Sequence, residues 1–260
     1  MLPTLLLLLL PLCASFSPPS PSLLSPGRSS APRTALFGDD KTEVREYFNT
    51  EGFSRWNKIY SESDEVNKVQ LDIRTGHDQT IQKILTWAKG DDMAGKTVCD
   101  CGCGVGSLAI PLAQMGAKVS ASDISDAMSG EAARRAKELG VENADFYTSD
   151  LESVSGKYDT VTCVDVAIHY PTEQMAGMIG HLCGLAEDRL IFSFAPKTWY
   201  FVLLKKIGEL APGPSKTTRA YLHEEGAVRE AMEKAGFRVA REEFTGTSFY
   251  FSKLIEAKRV

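Results

Sequence analysis

The segment Val98-Cys99-Asp100-Cys101-Gly102-Cys103-Gly104-Val105-Gly106-Ser107 carries the strongest chemical signal in the chain. Glycines there let the backbone turn sharply and come close to a ligand, and a helix starting just beyond offers free N–H groups. The spacing is D-x-G-x-G-x-G, not the G-x-G-x-x-G that seats a dinucleotide pyrophosphate. An acid two residues before the first glycine repels a pyrophosphate but suits a ligand carrying an amino group and a sulfonium charge. Two further acids follow in order. Asp123 ends the next strand, where a carboxylate accepts both hydroxyls of a ribose. Asp150 follows the third strand, where it accepts from an adenine amine while Leu151 covers the ring. Both also have a plainer reading as cap or turn aspartates.

Alternating elements position these groups. Short apolar runs at Thr97–Asp100, Lys118–Ser122, Asp145–Thr148, Tyr158–Asp165 and Arg189–Ala195 read as strands, and Ser107–Met115, Ser125–Leu139 and Thr172–Leu185 as the helices between them. Strand and helix in turn predict a parallel sheet covered on both faces. After a helix over His223–Ala235, the runs Phe237–Phe244 and Ser248–Ala257, joined at Gly246, predict a hairpin, so one strand must run antiparallel to the sheet. Before the first strand the pattern is helical: Lys41–Asn49, Glu51–Tyr60, Asp64–Arg74 and His77–Lys89.

The 260 residues are 43% hydrophobic and 24% charged, ordinary for one globular domain. Lys and Arg number 29 against 34 Asp and Glu, a balance that argues against a protein gripping nucleic acid through a basic face. Residues 1–38 stand apart and are expected to be a removable presequence. The apolar run Leu2–Leu12 is about half the roughly 20 residues that span a bilayer. It reads as a signal region ending at Cys13-Ala14-Ser15, and Phe16 starts an acid-free, Ser- and Pro-rich stretch with transit-peptide composition. This two-part arrangement resembles the presequences of plastid proteins in algae with complex plastids.

Five cysteines lie beyond Cys13, an odd number in mostly apolar context, which suits a reducing compartment. Cys99, Cys101 and Cys103 have the alternation of a metal-binding strand, but no second arm of ligands is evident and the glycines bend the segment where the third thiol would have to converge. They are expected to be small apolar packers, with no protein-bound metal.

The glycine loop with its acids resembles motif I of the class I S-adenosylmethionine-dependent methyltransferases. A more specific resemblance covers essentially all of Asp39 to Val260. The segments Glu46-Tyr47-Phe48-Asn49-Thr50-Glu51-Gly52-Phe53-Ser54-Arg55-Trp56, Ile59-Tyr60, Asp165-Val166-Ala167-Ile168-His169-Tyr170-Pro171, Phe194-Ala195-Pro196-Lys197-Thr198, Pro212-Gly213-Pro214-Ser215-Lys216 and Tyr221-Leu222-His223 resemble the magnesium protoporphyrin IX methyltransferase family. The resemblance implies a Rossmann-like α/β fold with a seven-stranded, mostly parallel sheet and a C-terminal antiparallel hairpin strand. The helical segment over 39–91, placed before the first strand of a cofactor domain over 92–260, is expected to act as a lid or substrate arm, with Gly52 and Gly76 as hinges. The implied reaction is methyl transfer from S-adenosylmethionine to one propionate carboxylate of magnesium protoporphyrin IX.

In that reading Asp100, Gly102, Cys103, Gly104, Asp123, Ile124, Ser125, Asp150, Leu151, Asp165 and Val166 hold the donor, and Tyr60 and His169 form the catalytic pair. Phe48, Trp56 and Trp199 wall the macrocycle, while Lys197, Lys216 and Arg219 are candidates for its second propionate. Bottom-up, His169 stands just past the fourth strand, at the sheet edge where open α/β folds bind ligands. Its plainer role is a neutral helix cap, and that of Tyr60 a core tyrosine. The magnesium chelatase large subunit and a plastid membrane surface are the further partners expected. Alternatives are a methyltransferase acting on another small molecule such as a quinone, a tetrapyrrole-binding protein without activity, and a nicotinamide oxidoreductase, the last disfavoured by the glycine spacing.

Overall fold

The computed structural model describes residues 37–61, 65–198 and 221–260. Residues 1–36 of the expected presequence, Trp199, Lys216 and Arg219 lie outside the described residues. Seven strands form one sheet: β1 (Thr97–Cys101), β2 (Lys118–Asp123), β3 (Ala144–Thr148), β4 (Tyr158–Cys163), β5 (Ala186–Phe194), β6 (Phe237–Gly246) and β7 (Phe251–Arg259). Their spatial order is β3-β2-β1-β4-β5-β7-β6. The first five pair in parallel, and β7 inserts antiparallel between β5 and β6, as the terminal hairpin required. The chain leaves β1 in one direction for β2 and β3 and returns on the other side for β4, so the crevice of an open α/β sheet lies at the carboxyl ends of β1 and β4.

The helices are α1 (Phe37–Asn49), α2 (Glu51–Ile59), α3 (Lys68–Gly90), α4 (Ala109–Gln114), α5 (Asp126–Glu138), α6 (Thr172–Leu185) and α7 (Glu225–Lys234). One face of the sheet packs against α6 and α7 through Ile179, Leu182, Val228 and Met232. The other packs against α3 and α4 through Ile84, Ala88, Ala109 and Leu112. The β1 side chains divide between them: Cys99 and Cys101 enter the first core, and Cys103, after the glycine bend, enters the second. All five described cysteines are buried free thiols, and among the described residues no group of three His, Cys, Asp or Glu is placed to hold a metal.

Two expectations are corrected. The stretch read as two helices, Asp64–Arg74 and His77–Lys89, is the single 23-residue α3, opened by an Asn67–Gln70 capping box. Gly76 costs its interior only about 1 kcal/mol, and the missing side chain admits Tyr250: a Cβ there would lie 2.3 Å from that ring. Gly52 likewise sits inside α2 and admits Tyr47, whose ring and carbonyl lie 2.6 Å from where a Cβ would stand. Both glycines are close-packing positions in helices, not hinges.

The hairpin tip is clasped by α3. Asp72 accepts from the Thr247 hydroxyl at 2.6 Å and from the Phe249 N–H at 2.7 Å, and Lys83 donates to the Phe244 carbonyl at 2.7 Å. Helix α5 holds the first two helices. Ser125, its N-cap, donates to Asn49 Oδ1 at 2.5 Å, and Arg135 donates to the Tyr60 carbonyl at 2.8 Å and to Asn57 Oδ1 at 2.6 Å. Beneath the sheet, fully buried Glu256 pairs with Arg189 and Arg241, and both arginines also reach Asp91.

Candidate active site

A cavity of about 360 Å³ opens at the carboxyl ends of β1, β2, β4 and β5 and is closed above by α1, α2 and α3. The glycine loop forms its floor. Gly102 and Gly104 have positive φ values of 81° and 52°, a conformation in which glycine is unstrained. A Cβ on Gly102 would meet Val166 at 2.1 Å, whereas one on Gly104 would meet nothing within 4 Å, so Gly104 exposes bare backbone to the cavity.

The acids at the loop differ in state. Asp100 is buried and accepts from Thr162 Oγ1 at 2.6 Å; burial pushes its carboxyl up to about 6, with the Thr162 hydroxyl opposing. Asp123 accepts from the N–H groups of Gly104 and Ser125, each at 2.9 Å. Burial also raises its carboxyl, against those backbone bonds. Each oxygen of Asp123 keeps a lone pair for a ribose hydroxyl. A buried acid facing bare glycine backbone, followed by a second acid at the end of the neighbouring strand, fits the amino-acid end and the ribose of S-adenosylmethionine.

Most of the expected donor-site residues line this cavity: Asp100, Gly102, Cys103, Gly104, Asp123 and Ile124 from the first two turns, then Leu151, Asp165 and Val166. Two do not. Ser125 lies behind the wall, where it caps α5 and holds α1. Asp150 accepts from the Ser153 N–H at 2.9 Å, capping a short 3-10 turn, and faces Lys41 at 3.8 Å. That Ser153 bond holds its carboxyl below the ordinary value. Its neighbours Ser149 and Leu151 meet the cavity instead.

The opposite wall is a row of rings. Phe48 meets the His169 imidazole edge-on with centroids 5.3 Å apart, and Phe48 to Trp56, Trp56 to Tyr60 and Tyr60 to His77 follow at 6.4, 5.4 and 4.4 Å. The row links the expected catalytic Tyr60 to His169. Burial pulls the His169 imidazole down to about 4, against the Asp165 charge, so the ring is neutral at physiological pH. It belongs to a 3-10 turn over Ala167–His169 and does not cap α6, whose N-cap is Pro171. Burial first, and then the charges of Asp165 and Asp78, raise the Tyr60 phenol well above its ordinary value, so it keeps its proton. Lys197 is outside the cavity and pairs with Glu224 at 3.3 Å.

Sequence reading missed Arg55, His77 and Tyr250, all of which line the cavity. His77 faces inward because it lies one turn before Ile81 and Ile84 on the buried stripe of α3, a spacing visible in the sequence. Tyr250 had no such signal, because the hairpin tip reaches the cavity only through its clasp on Asp72.

Residues 163–259 match the family described as magnesium-protoporphyrin IX methyltransferase C-terminus, and residues 98–186 match a general methyltransferase domain. The chain is 58% identical over 223 residues to the chloroplastic magnesium protoporphyrin IX methyltransferase of Arabidopsis thaliana, covering 85% of this chain and 72% of that one. It is 54% identical over 224 residues to magnesium-protoporphyrin O-methyltransferase of Synechocystis sp., covering 85% and 97%. The crystal structure of the Synechocystis magnesium protoporphyrin IX methyltransferase with bound S-adenosylhomocysteine superposes with a TM-score of 0.79 at 53% identity, over 85% of this chain and 100% of that one. With motif, fold and cavity agreeing over the described chain, this protein belongs to the magnesium protoporphyrin IX methyltransferase family.

Proposed function

We propose that the chain transfers a methyl group from S-adenosylmethionine to one propionate of magnesium protoporphyrin IX, giving the monomethyl ester in chlorophyll synthesis. The observation that carries this reading is one cavity in which a glycine floor with Asp100 and Asp123 faces an aromatic wall of Phe48, Trp56 and Tyr60. The floor suits the charged, polar donor. The wall suits a flat, largely apolar macrocycle.

The donor supplies an electrophilic methyl on a sulfonium; the new C–O bond forms as the C–S electron pair returns to sulfur, and no proton moves. A propionic acid has a pKa near that of Glu, about 4.3, so the acceptor is already ionised near neutral pH. No strong base is needed. What the protein supplies is placement in a dry site, where two opposite charges are brought together and neutralised. Neutral His169 and protonated Tyr60 are each able to donate one hydrogen bond to the attacking carboxylate and fix its direction. Asp165 orients the wall, holding His77 and Tyr250 in place.

Helices α1 and α2 act as a lid over this cavity, held to α5 by the Ser125 and Arg135 contacts. Protection of residues 41–61 from proteolysis by S-adenosylhomocysteine supports the lid; cleavage unchanged by ligand overturns it. The site of action is a plastid, as the name of the Arabidopsis relative states for that protein. The acid-free Ser/Pro stretch after Phe16 supports a two-part presequence. The magnesium chelatase large subunit and the membrane surface remain partners of this reading, though no described helix is long and apolar enough to cross a membrane. The deciding experiment is radiolabelled methyl transfer with magnesium-loaded and metal-free protoporphyrin IX. Label in the porphyrin ester supports the reading, and label only in a quinone phenol sinks it.

A further inference from the structure

We propose that Arg55 binds the second propionate of the porphyrin, the one that is not methylated, and so sets which propionate reaches the methyl donor. The inference rests on the functional reading above. A macrocycle with two carboxylates in an apolar cavity leaves one of them charged throughout the reaction. Burying such a charge unpaired is costly, so a cation in the cavity wall must meet it.

Among the described residues two Lys or Arg side chains line the cavity, Lys41 and Arg55. Lys41 is taken, with Glu152 at 2.7 Å and Asp150 at 3.8 Å. Arg55 makes no ion pair among the described residues, and its Nε is buried without a hydrogen-bond partner. The next residue repeats the pattern: Trp56 Nε1, on the same cavity wall, is also a buried donor without a partner. Two consecutive residues of α2 thus present buried N–H donors without an acceptor among the described residues. Buried donors are nearly always satisfied, so a pair left open at a cavity wall marks the place of an acceptor on the ligand. A guanidinium fork matches a carboxylate through two parallel hydrogen bonds. Arg55 also belongs to the helix that carries Trp56 and leads into Tyr60, the acceptor wall, while the donor's own charged groups face Asp100 and Asp123 on the floor.

The test compares magnesium protoporphyrin IX with a magnesium porphyrin bearing a single propionate, in the unmodified protein, Arg55→Gln and Arg55→Lys. If Arg55 holds the second propionate, Arg55→Gln raises KM for the dipropionate by about 10- to 100-fold. KM for the single-propionate substrate stays the same in both proteins. Arg55→Lys recovers part of the loss, because the charge is kept and the fork is not. S-adenosylhomocysteine affinity by calorimetry stays unchanged, which also shows that the variant is folded. Equal losses on both porphyrins would make Arg55 a structural residue, and a drop in S-adenosylhomocysteine affinity would assign it to the donor's carboxylate; either result overturns the inference. An unmodified protein that methylates neither porphyrin overturns the functional reading itself.

Discussion

His77 Nδ1 lies 2.8 Å from Asp165 Oδ2, joining the long helix α3 to the loop after β4 directly over the cavity. Tyr250 completes the junction, its hydroxyl 2.9 Å from each Asp165 oxygen, and Ser193 Oγ accepts from the Asp165 N–H at 2.8 Å. Asp165 itself sits at a φ of 60°, which Asp and Asn tolerate better than most residues. Asp165→Ala is therefore expected to lose about 2–3 kcal/mol of stability, read from the denaturant midpoint. Asp165→Asn keeps the backbone conformation and loses less. An alanine variant as stable as the parent would show that the junction does not anchor α3 and the hairpin tip to the loop after β4.

Gly76 is the counterpart of that junction on α3. A Cβ there would meet Tyr250 at its Cδ1, Cγ and Cβ, all within 2.7 Å, so the ring cannot evade it by rotating at its far end. Gly76→Ala is expected to cost about 1–3 kcal/mol through overpacking. It should also move Tyr250 off Asp165 and lower activity. A hinge role would instead predict a change in opening rate with little change in thermal midpoint, so a melting curve separates the two.

The proposed role of Asp100 predicts a pH dependence of donor binding. Its carboxyl is raised to about 6 by burial, and in that reading the donor's ammonium pairs with the ionised form. Affinity for S-adenosylhomocysteine should be flat above that point and fall about tenfold per pH unit below it, one proton per ligand. In the ligand-free protein the sign is opposite. The folded state takes up this proton before the unfolded one, so Asp100 lowers stability as pH rises from about 4 to about 6. Calorimetric titration between pH 5 and 8 checks the first statement, and Asp100→Asn should abolish the slope.

In the proposed reaction Tyr60→Phe and His169→Ala each remove one hydrogen-bond donor to the attacking carboxylate. A loss of about 100-fold in kcat is expected for each, with S-adenosylhomocysteine affinity preserved. Because His169 is pulled down to about 4, its protonation should leave kcat flat across pH 6 to 8. A kcat that rose through pH 6.5 would mean that the imidazole carries its charge in the complex. Single-turnover methyl transfer is the measurement.

Glu256 is fully buried, 3.3 Å from Arg189 and 3.0 Å from Arg241. Glu256→Gln leaves the buried Arg189 with the partly exposed Asp91 as its remaining acid, and a cost of about 1–3 kcal/mol is expected. Replacing only one partner in an exposed pair such as Lys234–Glu230 should cost under about 1 kcal/mol, and chemical denaturation of the two variants compares them.

The glycine loop, Asp100 and Asp123 could be read in the sequence because a tight turn after a strand is a local event, set by neighbouring residues. The alternation that gave the parallel sheet and its terminal hairpin is local in the same sense. Asp150 shows the limit. Its place after β3 is legible, but that its Oδ1 accepts from the Ser153 N–H and that Ser149 and Leu151, not Asp150, line the cavity depends on how the next three residues turn. Nothing local marks Glu256 as buried; it is enclosed because β7 inserts between β5 and β6.

Sequence alone therefore determined the periodic grammar of strands and helices, the donor loop and the resemblance that names the acceptor. Tertiary structure alone decided that Gly76 makes room for the distant Tyr250, that Tyr60 and His169 belong to one row of rings, and that among the described residues Lys41 meets an acid while Arg55 does not. Such facts depend on close approach between distant segments, and packing complementarity of that kind leaves no periodic trace in any one of them.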